Sequence, residues 1–178
     1  SQRLAPSLTK HENFHMPCYL FTYHGYRTWL PDRKQGYVQR KKGVLPRDVP
    51  LGDEYRDRAV DDEVNLQRLH QELLIDEAHV AAEKQNFRLH YIATESTHVH
   101  ALVSWKDDRP WLKVRTAIKQ SFTRRLNREL ETRTWFSDGS SRKRVEEQSH
   151  FDYLISNYLP KHSGLKWKEG DSKVPNEG

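Results

Sequence analysis

The chain has 178 residues, a length that fits one domain with appendages. It is 35% hydrophobic and 31% charged, polar for a globular protein but still able to build a modest core around 5 Trp, 8 Tyr and 6 Phe. A net charge of +5 and a pI near 9.3 favour a polyanionic partner, most simply nucleic acid. The single cysteine, Cys18, excludes an internal disulfide or a cysteine zinc cluster, and no apolar run approaches the roughly 20 residues that span a bilayer.

Residues 1–16 are polar and read as a loose arm. Pro17 to Trp29 is aromatic and β-prone, which predicts a first strand. Residues 31–60 are rich in Pro, Gly, Lys, Arg and Asp without clear periodicity, and read as a long basic surface insertion. Asp61-Asp62-Glu63 places acids where a helix N-terminus favours them, and Val64, Leu66, Leu69, Leu73, Leu74, Ala78, Ala81 and Ala82 keep roughly helical spacing, so a helix is expected from 61 to about 86. Phe87–Thr94 alternates and reads as a second strand. A short turn joins it to a third strand, 98–105, to form a hairpin.

A second helix is expected after Pro110 and runs to about Glu131, with Val114, Ile118, Phe122, Leu126 and Leu130 on one face and basic residues on the others. Arg133–Ser137 reads as a fourth strand and Asp138-Gly139-Ser140-Ser141 as a turn. Ser149 is the expected cap of a last helix carrying Phe151, Leu154, Ile155 and Tyr158, which Pro160 kinks or ends. The order β-α-β-β-α-β plus a C-terminal helix matches an α+β, ferredoxin-like split βαβ arrangement. Its antiparallel sheet carries helices on one face, and the last helix carries the tyrosines. The domain is expected over 17–165, with a polar tail at 166–178.

The chemistry concentrates in Thr97-His98-Val99-His100-Ala101-Leu102-Val103-Ser104-Trp105. Side chains alternate along a strand, so His98 and His100 share a face and can hold one metal ion, while Val99, Ala101 and Val103 face the other way and can pack. Ten histidines in 178 residues give about half an H-x-H by chance, so ordinary strand histidines are the blander reading until a third ligand is found. His162 is the best candidate, four residues after Tyr158 and on the same face if the helix continues. Tyr153 and Tyr158 compete as nucleophile. Tyr153 has Asn157 at the fourth position after it and Tyr158 has His162, and imidazole is the better metal ligand, which favours Tyr158. A phenol with a pKa near 10 is a poor nucleophile at neutral pH, and a divalent cation would help it. Arg115, Lys119, Arg124 and Arg125 on the second helix are candidate phosphate contacts, or else a solvated basic face.

Taken together, the His98-Val99-His100 strand, the basic helix after it and the late helix with one tyrosine and a ligand four residues on resemble the single-tyrosine HUH transposases. Tyr23-His24-Gly25-Tyr26-Arg27-Thr28-Trp29-Leu30-Pro31 is similar to the opening motif of REP-associated tyrosine transposases (IS200-like), and Asp138-Gly139-Ser140-Ser141 looks like their glycine-serine turn. The resemblance covers roughly residues 17–165. It implies a metal-dependent endonuclease and strand transferase on single-stranded DNA, often beside a hairpin, leaving a 5′-phosphotyrosine link and a free 3′-hydroxyl. It implies Mg²⁺ or Mn²⁺ on His98, His100 and a third polar ligand, with Tyr158 as nucleophile; His162 stands where the family usually carries Gln or Asn. A homodimer is allowed, since relatives that swap tyrosine helices act as dimers and REP-associated ones as monomers. With no apolar secretory core at the N-terminus, a cytoplasmic, nucleoid-associated protein is expected. The rivals are a non-catalytic, ferredoxin-like module that grips nucleic-acid hairpins and a zinc site of purely structural purpose.

Overall fold

The computed structural model describes residues 16–28, 37–39, 43–45 and 62–172. Residues 1–15 of the expected 1–16 arm, the Trp29-Leu30-Pro31 end of the opening motif, most of the 31–60 insertion and the last six residues lie outside them. Within the insertion, β2 (Tyr37–Gln39) and β3 (Gly43–Leu45) pair as a small antiparallel hairpin.

A mixed α+β architecture is built on one five-stranded antiparallel sheet. Its strands are β1 (Cys18–His24), β4 (Arg88–Thr94), β5 (His98–Ser104), β6 (Ser141–Arg144) and β7 (Lys166–Lys168), in the order β6-β1-β5-β4-β7. Helices α1 (Arg68–Gln85) and α2 (Trp111–Glu129) pack on one face. A short helix α3 (Gln148–Tyr153) covers the other, continued by a π turn (Leu154–Tyr158) and a 3₁₀ turn (Leu159–Lys161).

The alternation of β1 and β5 explains the two cores. Tyr19, Phe21, Tyr23, Val99, Ala101 and Val103 meet Leu74, Ile75, Val114, Ile118, Phe122 and Leu126 of the helices. Cys18, Leu20 and Leu102 turn the opposite way, onto Val145, Phe151, Leu154 and Leu159. Burying a large apolar side chain fully is worth about 1.5–3 kcal/mol, so both layers fix the sheet. A bulge between Leu89 and Tyr91 turns His90 toward this second face, where its Nε2 lies 2.6 Å from Ser104 Oγ and its ring meets Phe151 edge-on.

Four expectations change. The first helix starts at Arg68 rather than at 61: Val64 and Leu66 are both buried at a spacing of two, and their N–H groups donate to the carbonyls of Tyr26 and Ser96, so this segment is extended. The fourth strand is β6 and not 133–137, where Phe136 forms only an isolated bridge with Gly25. Glu147, not Ser149, precedes the last helix. Residues 166–168, read as the start of a polar tail, form an edge strand with Trp167 buried.

Candidate metal and tyrosine site

His98 and His100 project from β5 onto the face that carries α3. One imidazole nitrogen from each, and one from His162, lie within 4.8 Å of one another. Ring centroids are 4.7 Å apart for His98–His100, 4.5 Å for His100–His162 and 5.5 Å for His98–His162. Tyr158 stands against the group: its hydroxyl is 3.5 Å from His100 Nε2 and its ring centroid 5.2 Å from that of His162.

Oxygen partners orient all three rings. Thr22 lies directly across from His100 in the β1–β5 register, and its Oγ1 is 2.6 Å from His100 Nδ1. Thr97 Oγ1 is 2.9 Å from His98 Nδ1. His162 Nδ1 is 3.0 Å from the Leu159 carbonyl. A carbonyl only accepts, so that nitrogen carries a proton and Nε2 is the atom left to face an ion. Such outer partners are what a histidine ligand needs to hold one tautomer and one direction.

Backbone chemistry places His162. The π turn adds a residue to the helix just before Tyr158, and Pro160 closes the following turn. Beyond His162 the chain is clamped: Ser163 donates from its N and Oγ to the Glu95 carboxylate, at 2.8 Å each, and Gly164 N donates to Thr94 O at 3.0 Å. A Cβ on Gly164 would fall 2.2 Å from that carbonyl oxygen, so only glycine lets the chain lie this close to β4. Burial alone would raise the Glu95 carboxyl, but the Ser163 bonds and the charges of His162 and His98 together hold it below its usual value.

The electrostatics disfavour a charge on His100 and on Tyr158. Burial, then the neighbouring His98, His162 and His24, push the His100 pKa down to about 2. Burial raises the Tyr158 phenol, helped by Tyr153, so without a cation it keeps its proton at neutral pH. His90, lower on the same face, is also held neutral, at about 4, mainly by burial. In the unfolded chain both histidines titrate near 6.5. As pH falls below that value the unfolded state therefore binds protons that the native state refuses. We expect the metal-free protein to lose stability from about pH 6.5 to pH 4, with a limiting slope of ~2.7 kcal/mol per pH unit for two protons. Urea midpoints across that range check it; a flat profile would contradict neutral burial of both rings.

The structure brings His98, His100, His162 and Tyr158 together. It does not bring Tyr153 or Asn157 to the cluster; both are exposed. The four candidate phosphate contacts sit on α2, which packs on the opposite face of the sheet, and each has an internal partner. Arg115 donates to Ser140 O, Lys119 to Ser137 O, Arg124 to Ser121 Oγ and Arg125 to Asp76, 2.7 Å away. Arg115 and Lys119 brace the 137–140 loop, Arg125 joins α1 to α2 and Arg124 bonds within α2; none of them lines the cluster. Sequence reasoning missed Thr22, Thr97, Glu95 and His24, the last being the cross-strand neighbour of His98 with its ring 6.0 Å away. The β1–β5 register, which the sequence does not print, connects Thr22 to His100 and His24 to His98, and the Ser163 bonds bring Glu95 beside His162.

No family model matches the chain, and no curated protein does. Among solved structures it is similar to that of a REP-associated tyrosine transposase bound to a REP hairpin, with a TM-score of 0.42 and 8% identity, covering 90% of this chain and 76% of that one.

Proposed function

We propose that this chain is a metal-dependent endonuclease and strand transferase of the transposase type, acting on single-stranded DNA beside a hairpin. Tyr158 is the nucleophile, and His98, His100 and His162 hold the ion. The observation that carries the reading is the Tyr158 hydroxyl set 3.5 Å from His100 Nε2, within the three-histidine group. The frame is read as ferredoxin-like, supported by the order β6-β1-β5-β4 with α1 and α2 as the crossovers.

Three imidazole nitrogens without a carboxylate suit borderline divalent ions, so of the two expected metals Mn²⁺ fits the donors better than Mg²⁺. When bound, the ion supplies neutralisation of phosphate charge and polarisation of the bond to be broken. The chain does the rest. His100 enters neutral and is oriented by Thr22. Tyr158 attacks the phosphorus through Oη; a tyrosyl O–P bond forms as the P–O3′ bond breaks. The phenol gives up its proton and the departing 3′-oxygen gains one, leaving a 5′-phosphotyrosine and a 3′-hydroxyl. Attack of another 3′-hydroxyl on that link rejoins the strand and returns the proton to Oη.

Incubating the protein with hairpin-bearing single-stranded oligonucleotides and Mn²⁺ is expected to give a covalent protein–DNA adduct on a denaturing gel, absent with chelator. Binding to the same oligonucleotides without any adduct would move the assignment to the non-catalytic hairpin-binding module.

A further inference from the structure

With the α2 basic residues turned to the other face, the question is what guides a strand to Tyr158. The edge strand β6 offers an answer. All four of its residues, Ser141-Arg142-Lys143-Arg144, are exposed. Directly opposed residues of an antiparallel pair point the same way. Lys143 is paired with Leu20, which is packed on the α3 side of the sheet, so Lys143 rises on the face that holds the histidines. Leu20 is paired in turn with Leu102 of β5, two residues along from His100. Two strand spacings, about 10 Å, therefore separate Lys143 from that row. Arg142 turns the other way, its guanidinium 3.8 Å from the centre of the Trp111 ring.

Between Lys143 and the nucleophile runs α3. Its Phe151 packs with Leu20 and Val145 on this same face. At its C-terminal end Tyr153 is 49% exposed. Tyr153 closes α3, and the π turn that continues it ends at Tyr158. Lys143 on the sheet edge, Tyr153 at the end of α3 and Tyr158 in the turn that follows thus lie on the α3 side of the sheet: a cation, an open aromatic ring, the reacting hydroxyl. A cationic groove with an exposed aromatic is how proteins hold unpaired strands, because every base has a face to stack.

We infer that Tyr153 is a stacking platform for an unpaired base and Lys143 a phosphate contact, so that a single-stranded polynucleotide approaches Tyr158 along α3 from the β6 edge. This deepens the reading of Tyr158 as the nucleophile of a strand-cleaving enzyme and rests on it. It also gives the second tyrosine of the segment a binding role in place of a chemical one.

The test is binding without metal, by anisotropy, to labelled single-stranded DNA, single-stranded RNA and duplex of the same sequence, with wild type, Tyr153→Ala, Tyr153→Trp, Lys143→Ala and the α2 control Arg128→Ala. Single strands should bind more tightly than duplex, and the stronger of the DNA and RNA arms names the polymer. Tyr153→Ala should weaken single-strand binding about tenfold and Tyr153→Trp should retain it. Lys143→Ala should lower the salt dependence by about 0.7 in log–log slope. Arg128→Ala should change little. If Tyr153→Ala and Lys143→Ala bind like wild type while wild type still forms the adduct, the track is wrong and the nuclease reading survives. If no adduct forms yet Tyr153→Ala loses binding, the track stands and the nuclease reading fails. No single-strand binding by wild type overturns both. All substituted positions are exposed, so matched unfolding curves exclude misfolding.

Discussion

Tyr158→Phe is expected to abolish the covalent protein–DNA adduct and to lower strand cleavage at least about a thousandfold, the scale on which enzymes lose rate when the nucleophile itself is removed. The substitution removes one oxygen. The ring stays where it is, packed against the second core and edge-on to His100 and His162 at 5.5 and 5.2 Å. The lost hydroxyl contact to His100 Nε2, at 3.5 Å, is too long to carry much stability. Folding, metal affinity and DNA affinity should therefore persist within about a factor of three, a change of less than 1 kcal/mol. Tyr153→Phe keeps an aromatic ring at the exposed position and should form adduct at the wild-type rate. Loss of the adduct in Tyr153→Phe, with retention in Tyr158→Phe, would move the nucleophile one and a half turns back along the helix and leave the 3.5 Å contact without a chemical role.

The contrast between these two tyrosines marks where sequence reasoning reaches and where it stops. Period two was enough to put His98 and His100 on one side of β5 and Val99, Ala101 and Val103 on the other, because strand geometry admits no alternative once the strand itself is recognised. The apolar positions of α2 were equally legible, since Val114, Ile118, Phe122 and Leu126 repeat every four residues. Strand β6 was invisible: Ser-Arg-Lys-Arg is exposed throughout, so burial writes no alternation into it, and the neighbouring Trp135 and Phe136 drew the strand to the wrong place. Val64 and Leu66 fitted a helical pattern and an extended one alike, and tertiary hydrogen bonds to Tyr26 and Ser96 decided between them. The charges of α2 could be counted, but their partners could not. Arg125 meets Asp76 across 49 positions of sequence, a contact that no local pattern encodes. The π turn at Leu154–Tyr158 has no compositional signal either, yet with Pro160 it sets where His162 ends up.

His100→Ala is expected to reduce Mn²⁺ affinity more than about a hundredfold, and Thr22→Val about ten- to a hundredfold, the usual cost of losing an outer partner of a metal-bound histidine. His100 is the ring closest to both others, 4.7 Å from His98 and 4.5 Å from His162, so its removal leaves two nitrogens that cannot close a site. Thr22→Val keeps the shape of the side chain and deletes only the oxygen 2.6 Å from His100 Nδ1. The ring then lacks the partner that selects its tautomer, and its buried nitrogen is left unsatisfied. Both affinities can be read by isothermal titration calorimetry of the purified protein with Mn²⁺. The same variants separate a catalytic ion from a structural one. The sheet and both cores are built from contacts that do not involve the histidine nitrogens, so chelation of wild type should leave far-ultraviolet circular dichroism and the cooperative unfolding transition in place. Collapse of the fold on chelation would instead make the three histidines a structural clamp. It would also detach the metal from the chemistry assigned to Tyr158, because a cluster needed for folding accounts for the convergence of His98, His100 and His162 without any reaction.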